Sequence, residues 1–187
     1  VPGYFSTLVI LTRNDIDTTL AGSGSHVGLN GLYMTGGDQH IDNHTRVDHS
    51  VPNTTSDETY RGVLNGKSRA VFNGKVVVHK DAQKTDAQQS NANLLLSNNA
   101  EIDTKPELEI YADDVKCTHG ATVGQLDENM LFYLRSRAID ESTARSLLTF
   151  AFAEEVIKKI NLEPVRHRLE HKVAGRLPDA SLITEFM

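Results

Sequence analysis

Cysteine and histidine are the side chains here best suited to ligating a transition metal, and one of each stands two apart in Cys117-Thr118-His119. Cys117 is the only cysteine among 187 residues, which also include eight histidines. In a strand, residues two apart point to the same side, so Val115, Cys117, His119, Ala121 and Val123 share one face. Lys116, Thr118, Gly120, Thr122 and Gly124 take the other. The apolar company of the first set predicts that Cys117 and His119 face inward. Two roles fit them: a buried thiol acting as a small hydrophobe beside a hydrogen-bonded histidine, or a ligand pair too small to hold a metal group alone.

Other histidines are less convincing ligands. His40, His44 and His49 lie in "QHIDNHTRVDHS" with Asp38, Asp42 and Asp48 interleaved, but an extended chain puts His40 and His44 on one face and His49 on the other. Solvent-facing or turn positions suit them better than a metal site. His167 and His171 are four apart on a charged helical segment, a chelating spacing with no third ligand nearby in sequence. Neither Gly-x-Ser-x-Gly nor His-Glu-x-x-His occurs, and no glycine-rich loop has phosphate-binding spacing. The residue pattern argues against a self-contained hydrolase or kinase.

The elements that must position these residues change character once. From Leu8 to about Arg137 the chain runs through short β-rich segments, among them "HVGLNGLYM", "RGVLNGKSRAVFNGKVVVH", "ANLLLS", "ELEIYA" and "VKCTHGATV". Ala70 and Phe72 alternate with Arg69 and Val71, and Leu108 and Ile110 with Glu107 and Glu109. Asn65-Gly66 and Asn73-Gly74 read as turns. No repeat of fixed period is visible, yet many strands without helices between them require packed sheets, a barrel or a stacked β-helix. The Asn, Gly, Asp and Ser residues between the strands favour the β-helix.

A helical period then takes over. Asp140 is placed to cap a helix over about 140–160, with Ala144, Leu147, Leu148 and Ala151 in one stripe broadened by Phe150, Phe152, Val156, Ile157 and Ile160. Pro164 opens a second helix with Val165, Leu169 and Val173 four apart and Gly175 at its end. The apolar faces must cover something. They either cap their own β domain or form a docking surface, of which Leu147, Leu148, Phe150, Phe152 and Val156 would be the centre. The division expected is 1–137 for the β region and 138–187 for the helical one.

Composition narrows the class further. The chain is 39% hydrophobic and 24% charged, with a net charge of −6 and no basic run, which argues against a nucleic-acid partner. No apolar stretch approaches the roughly 20 residues that span a bilayer, no signal-peptide pattern opens the chain, and a lone cysteine suits a reducing compartment. The expectation is a cytoplasmic chain without a membrane segment. Its first residue is Val1 rather than an initiator methionine, so a piece of a longer protein is expected.

Longer segments carry a resemblance. "RAVFNG", "KTDAQQSNANLLLS", "AEIDTKPELEIYADDVKCTHGATVG", "LFYLRSRAID" and "AFAEEV" are similar to the C-terminal portion of the SufB/SufD family, and the Cys-Thr-His-Gly form of the motif lies on its SufD side. The likeness runs from about His26 to Leu177. It implies an all-β right-handed parallel β-helix followed by a small C-terminal α-helical domain, acting as a non-enzymatic scaffold in iron–sulfur cluster assembly. A SufB-like scaffold and a SufC-like ATPase are the implied partners, the ATPase docking on the helical domain. His119, and with it Cys117, matches the position linked to cluster assembly at the SufB interface. About four ligands hold a cluster, so two from this chain imply a nascent cluster shared with the partner and no cofactor held alone. Both side chains are expected to be shielded at rest and uncovered when the ATPase strains the β-helix. Flavin binding by the complex and a homodimer of the isolated chain are left undecided by these residues. Two readings stand beside this one: a carbohydrate-active β-helix enzyme using outward Glu107, Glu109 and Arg69, and a His-rich metal-binding module over His40–His49.

Overall fold

The computed structural model describes residues 10–179; the outermost parts of the expected division, 1–9 and 180–187, lie outside the described residues. Eight strands and three helices follow one another there: β1 Leu11–Leu20, β2 His26–Thr35, β3 His40–His49, β4 Thr55–Leu64, β5 Arg69–Val78, β6 Asp86–Leu95, β7 Glu101–Ile110, β8 Lys116–Gly124, α1 Glu128–Arg135, α2 Glu141–Ile157 and α3 Glu163–Ala174. Odd strands form one parallel sheet in the order β1-β3-β5-β7, and even strands form another in the order β2-β4-β6-β8. Each turn of chain adds one strand to each sheet. The result is a parallel β-solenoid of about four turns followed by helices, the expected fold class.

The repeat escapes the eye because its length drifts. Register pairs Leu11 with His40, His40 with Arg69 and Arg69 with Glu101, steps of 29, 29 and 32 residues. What recurs is direction rather than identity. Ile16, Thr45, Gly74 and Pro106 stack in one inward column, as do Asn14, Asn43, Phe72 and Thr104. Between the sheets Phe72, Leu64, Val47, Val76 and Val78 are fully buried, and the Tyr60 and Phe72 rings pack 4.9 Å apart.

Two turn expectations part here. Gly66 follows β4 with φ +71° and donates its N–H to Asn65 Oδ1 at 2.8 Å, as its dipeptide predicts. Asn73-Gly74 is no turn: it lies inside β5, where a Cβ on Gly74 would meet the Phe72 ring at 2.8 Å and press on the Gln89 amide. There the glycine serves close packing rather than chain reversal.

Asp140 caps α2 as expected, its Oδ1 accepting from the Thr143 N–H at 3.0 Å. Pro164 lies in the first turn of α3 and Gly175 caps its end. Helix α1 was not anticipated inside the β region. It has eight residues and buries only Leu131, which leaves too little pattern to read. Its N-cap is Asp127, which accepts from the Asn129 N–H at 2.8 Å.

The apolar stripe of α2 is consumed by the chain itself. Phe150, Ala153, Val156 and Ile157 pack with Val173 and Ala174 of α3, and against Leu147, Leu32 and Met34. Leu148 and Phe152 pack with Leu94, Leu126, Leu131 and Ala144. Leu32, Met34 and Leu94 are outward positions of β2 and β6, so the helices cover the outer face of the even-strand sheet. Leu147, Leu148, Phe150, Phe152 and Val156, weighed as either a cap or the centre of a docking surface, are buried or half-buried in these two clusters. Ala151 and Val165 of the expected stripes are exposed.

Candidate functional site at the terminal strand

Cys117 and His119 lie on β8, the last strand of the even sheet, with β7 last in the other. Register sets Cys117 beside Ala87 and His119 beside Gln89, whose own neighbour in the previous turn is Glu58. Ala87, Gln89 and Glu58 are buried between the sheets, so both β8 residues take the inward-facing positions of their turn. Nothing among the described residues lies beyond that turn. Cys117 is therefore half-buried against the core and His119 is exposed. Inward direction was legible in the alternation, but the expected shielding at rest is not a property of this chain, because a terminal turn has no further turn to cover it.

Burial pushes the Cys117 thiol above its usual pKa, and nearby Asp86 pushes the same way, against a hydrogen bond involving the Ala87 backbone. Such a thiol is protonated at neutral pH. It ionises when a metal or a partner's positive charge displaces the proton.

Behind β8 the interior is polar. Gln89 donates from Nε2 to Glu58 Oε2 at 2.6 Å, and burial raises the Glu58 carboxyl against that hydrogen bond. Asn93 donates to Asn91 Oδ1 at 2.6 Å, Thr104 donates to the same oxygen at 2.8 Å, and Tyr33 donates to Asn93 Oδ1. Burial pushes the Tyr33 phenol up. Sequence reading missed Glu58 and Gln89. The signal was present in "DAQQSNANLL", where alternation puts Ala87, Gln89, Asn91 and Asn93 on one face, but the inward side of a polar strand is settled only by its neighbours.

The remaining histidines are apart from this site. His49 is fully buried, correcting the solvent-facing assignment: its Nδ1 is 2.7 Å from Thr54 Oγ1 and its Nε2 3.0 Å from Ser56 Oγ. His44 Nε2 lies 2.8 Å from Asp42, which also accepts from Arg13 at 2.7 Å. His167 pairs with Glu163 and Glu170 at 3.5 and 3.3 Å. Among the described residues no three His, Cys, Asp or Glu side chains gather to hold a metal ion. Outward Glu107 and Glu109 pair with Lys105 and Lys75, and Arg69 pairs with Asp103, so the groups a carbohydrate enzyme would need are engaged along the ladder.

The fold is a parallel β-solenoid with helices on its flank, and its last strand carries Cys117 and His119. The family model described as SUF system FeS cluster assembly, SufBD core domain, matches residues 5–152, and the chain belongs to that family. The iron–sulfur cluster assembly protein SufD of Escherichia coli is 41% identical over 166 residues, covering 89% of this chain and 39% of that protein. A SufBD family iron–sulfur cluster assembly protein of Synechocystis is 40% identical over 166 residues, covering 89% of this chain and 37% of the relative. One of Mycobacterium leprae is 37% identical over 167 residues, 85% of this chain and 43% of the relative. The chain thus spans about two fifths of the length of these curated relatives. No helix among the described residues is long and apolar enough to cross a membrane.

Proposed function

We propose that the chain is a SufD-type, non-enzymatic scaffold in iron–sulfur cluster assembly, pairing with a SufB-like subunit through the open end of its solenoid. One observation carries this: Cys117 and His119 occupy inward positions of β8, an edge strand whose free backbone groups and exposed imidazole are available to a second chain. Two ligands from this side leave roughly two for the partner, so the nascent cluster is shared cargo.

A SufC-like ATPase then docks on the helical region. Because the α2 stripe is buried, docking falls to what that region exposes, such as Phe132 (75% exposed), Leu162 (68%) and Tyr133 (50%). The setting proposed is the cytoplasm.

The test is co-expression with SufB-like and SufC-like partners. His119→Ala is expected to assemble fully and to lose cluster absorption. An assembled His119→Ala complex that keeps its cluster overturns the reading.

A further inference from the structure

Leu29, Glu58, Gln89 and His119 form one inward column through the even-strand sheet, one residue per turn. Glu58 is 2% exposed and Gln89 is 4% exposed. The Gln89 amide is half committed: Nε2 donates to Glu58, while Oε1 is sealed from solvent with no hydrogen-bond partner among the described residues. A buried acceptor left unpaired is destabilising.

His119 is the polar side chain adjacent to Gln89 in the register, and its ring is exposed. We propose that Gln89 is the positioning residue for His119: held by Glu58, it presents Oε1 to accept one imidazole N–H and leaves the other ring nitrogen bare and directed out of the open end. The chemistry is that of a ligand histidine, which coordinates through one nitrogen while the other donates to a fixed acceptor. Glu58 matters because it settles which end of the amide faces His119. An amide turned the other way would offer an N–H to the ring and occupy the lone pair that a metal needs. Two residues with no contact to the cargo thereby set the tautomer of the one that reaches it. This inference rests on the scaffold reading above, but the proposed hydrogen bond needs only residues of this chain.

Two variants test it. Gln89→Met keeps the volume and removes the acceptor. Glu58→Gln with Gln89→Glu exchanges donor and acceptor, so that residue 58 donates and the carboxylate at 89 accepts from His119. In the chain alone, ring nitrogen NMR shifts are expected to show one dominant His119 tautomer, lost in Gln89→Met and recovered in the exchanged pair, with His167 unchanged as the internal control. In the assembled complex, Gln89→Met should cut cluster yield by about tenfold or more, and the exchanged pair should restore it.

An unaltered His119 tautomer in folded Gln89→Met, or an exchanged pair that assembles without recovering either signal, overturns the proposal. Where Gln89→Met fails to fold, the exchanged pair decides alone. If His119→Ala keeps its cluster while Gln89→Met still alters the tautomer, the scaffold reading fails and the hydrogen bond stands.

Discussion

Lys159, just past the end of α2, donates to Asp57 Oδ1 at 3.0 Å across 102 residues of sequence, and its Nζ also donates to Thr59 Oγ1 at 2.7 Å. Beside it Glu155 accepts from Arg61 Nε at 3.1 Å. Asp57, Thr59 and Arg61 are successive outward residues of β4, so two ion pairs fasten the helix to the outer face of the sheet. Apolar packing beneath supplies most of the adhesion, and the pairs set where along the strand the helix rests.

Breaking this fastening should loosen the helices without unfolding the solenoid. Lys159→Met is expected to cost no more than about 1 kcal/mol globally, as partly exposed pairs do. Amide exchange should accelerate selectively in α2 and α3. Burial pulls the Asp57 carboxyl up, but hydrogen bonds from Lys159 and Thr59 outweigh it and hold the pKa below the usual value. A depressed carboxylate stabilises at pH above its unfolded pKa and loses that contribution as pH falls through the folded one. The wild-type helices should therefore loosen below about pH 4. Uniform exchange rates across both parts, or no difference in the variant, would contradict the assignment.

His49 predicts a second pH effect at milder acidity. Burial lowers its pKa from 6.5 to about 4, with Asp48 pulling weakly the other way. Thr54 and Ser56 satisfy the neutral ring on both sides. The folded state binds this proton less readily than the unfolded state, so stability is full above pH 6.5 and is lost as pH falls toward 4. A shift of this size corresponds to about 3 kcal/mol at its limit. Urea denaturation at pH 7.5 and 4.5 should show most of that loss. His49→Gln should flatten the dependence while lowering stability at both values, and an unchanged slope would remove His49 as its source.

These residues show what sequence conveyed and what it withheld. Asp140 and Gly66 act locally, through a cap and a turn, and local chemistry is written in adjacent residues. Cys117 and His119 were placed on a common inward side because alternation along one strand is also local. Their exposure was not legible, since it depends on β8 being the last strand of its sheet. His49 looked like one of three surface histidines until β3 was seen to bury Asn43, Thr45, Val47 and His49 together. Asn73-Gly74 carried a turn signature that tertiary packing overrode, because Phe72 and Gln89 need the space a side chain would fill. Alternation grouped Gln89 with Ala87, Asn91 and Asn93 on one face, but its meaning comes from Glu58 in the turn before it and His119 in the turn after, neighbours fixed by register alone.

Cys117 should report on what covers the open end. In the isolated chain it is half-buried with a raised pKa, so its thiolate is scarce at neutral pH. Alkylation by iodoacetamide at pH 7.5 should run slower than for a free cysteine, and should accelerate as pH rises and the thiol ionises. If a SufB-like chain seats on β8, burial adds to this protection, and the resting complex should react more slowly than the chain alone. ATP-driven strain that parts the two edges would restore access, so nucleotide should raise the rate in the complex and leave the chain alone unaffected. Mass spectrometry of the peptide spanning Lys116–Gly124 measures all four rates. Equal rates for chain and complex would mean that the partner seats elsewhere. Protection without a nucleotide effect would keep the interface at β8 and discard the opening step.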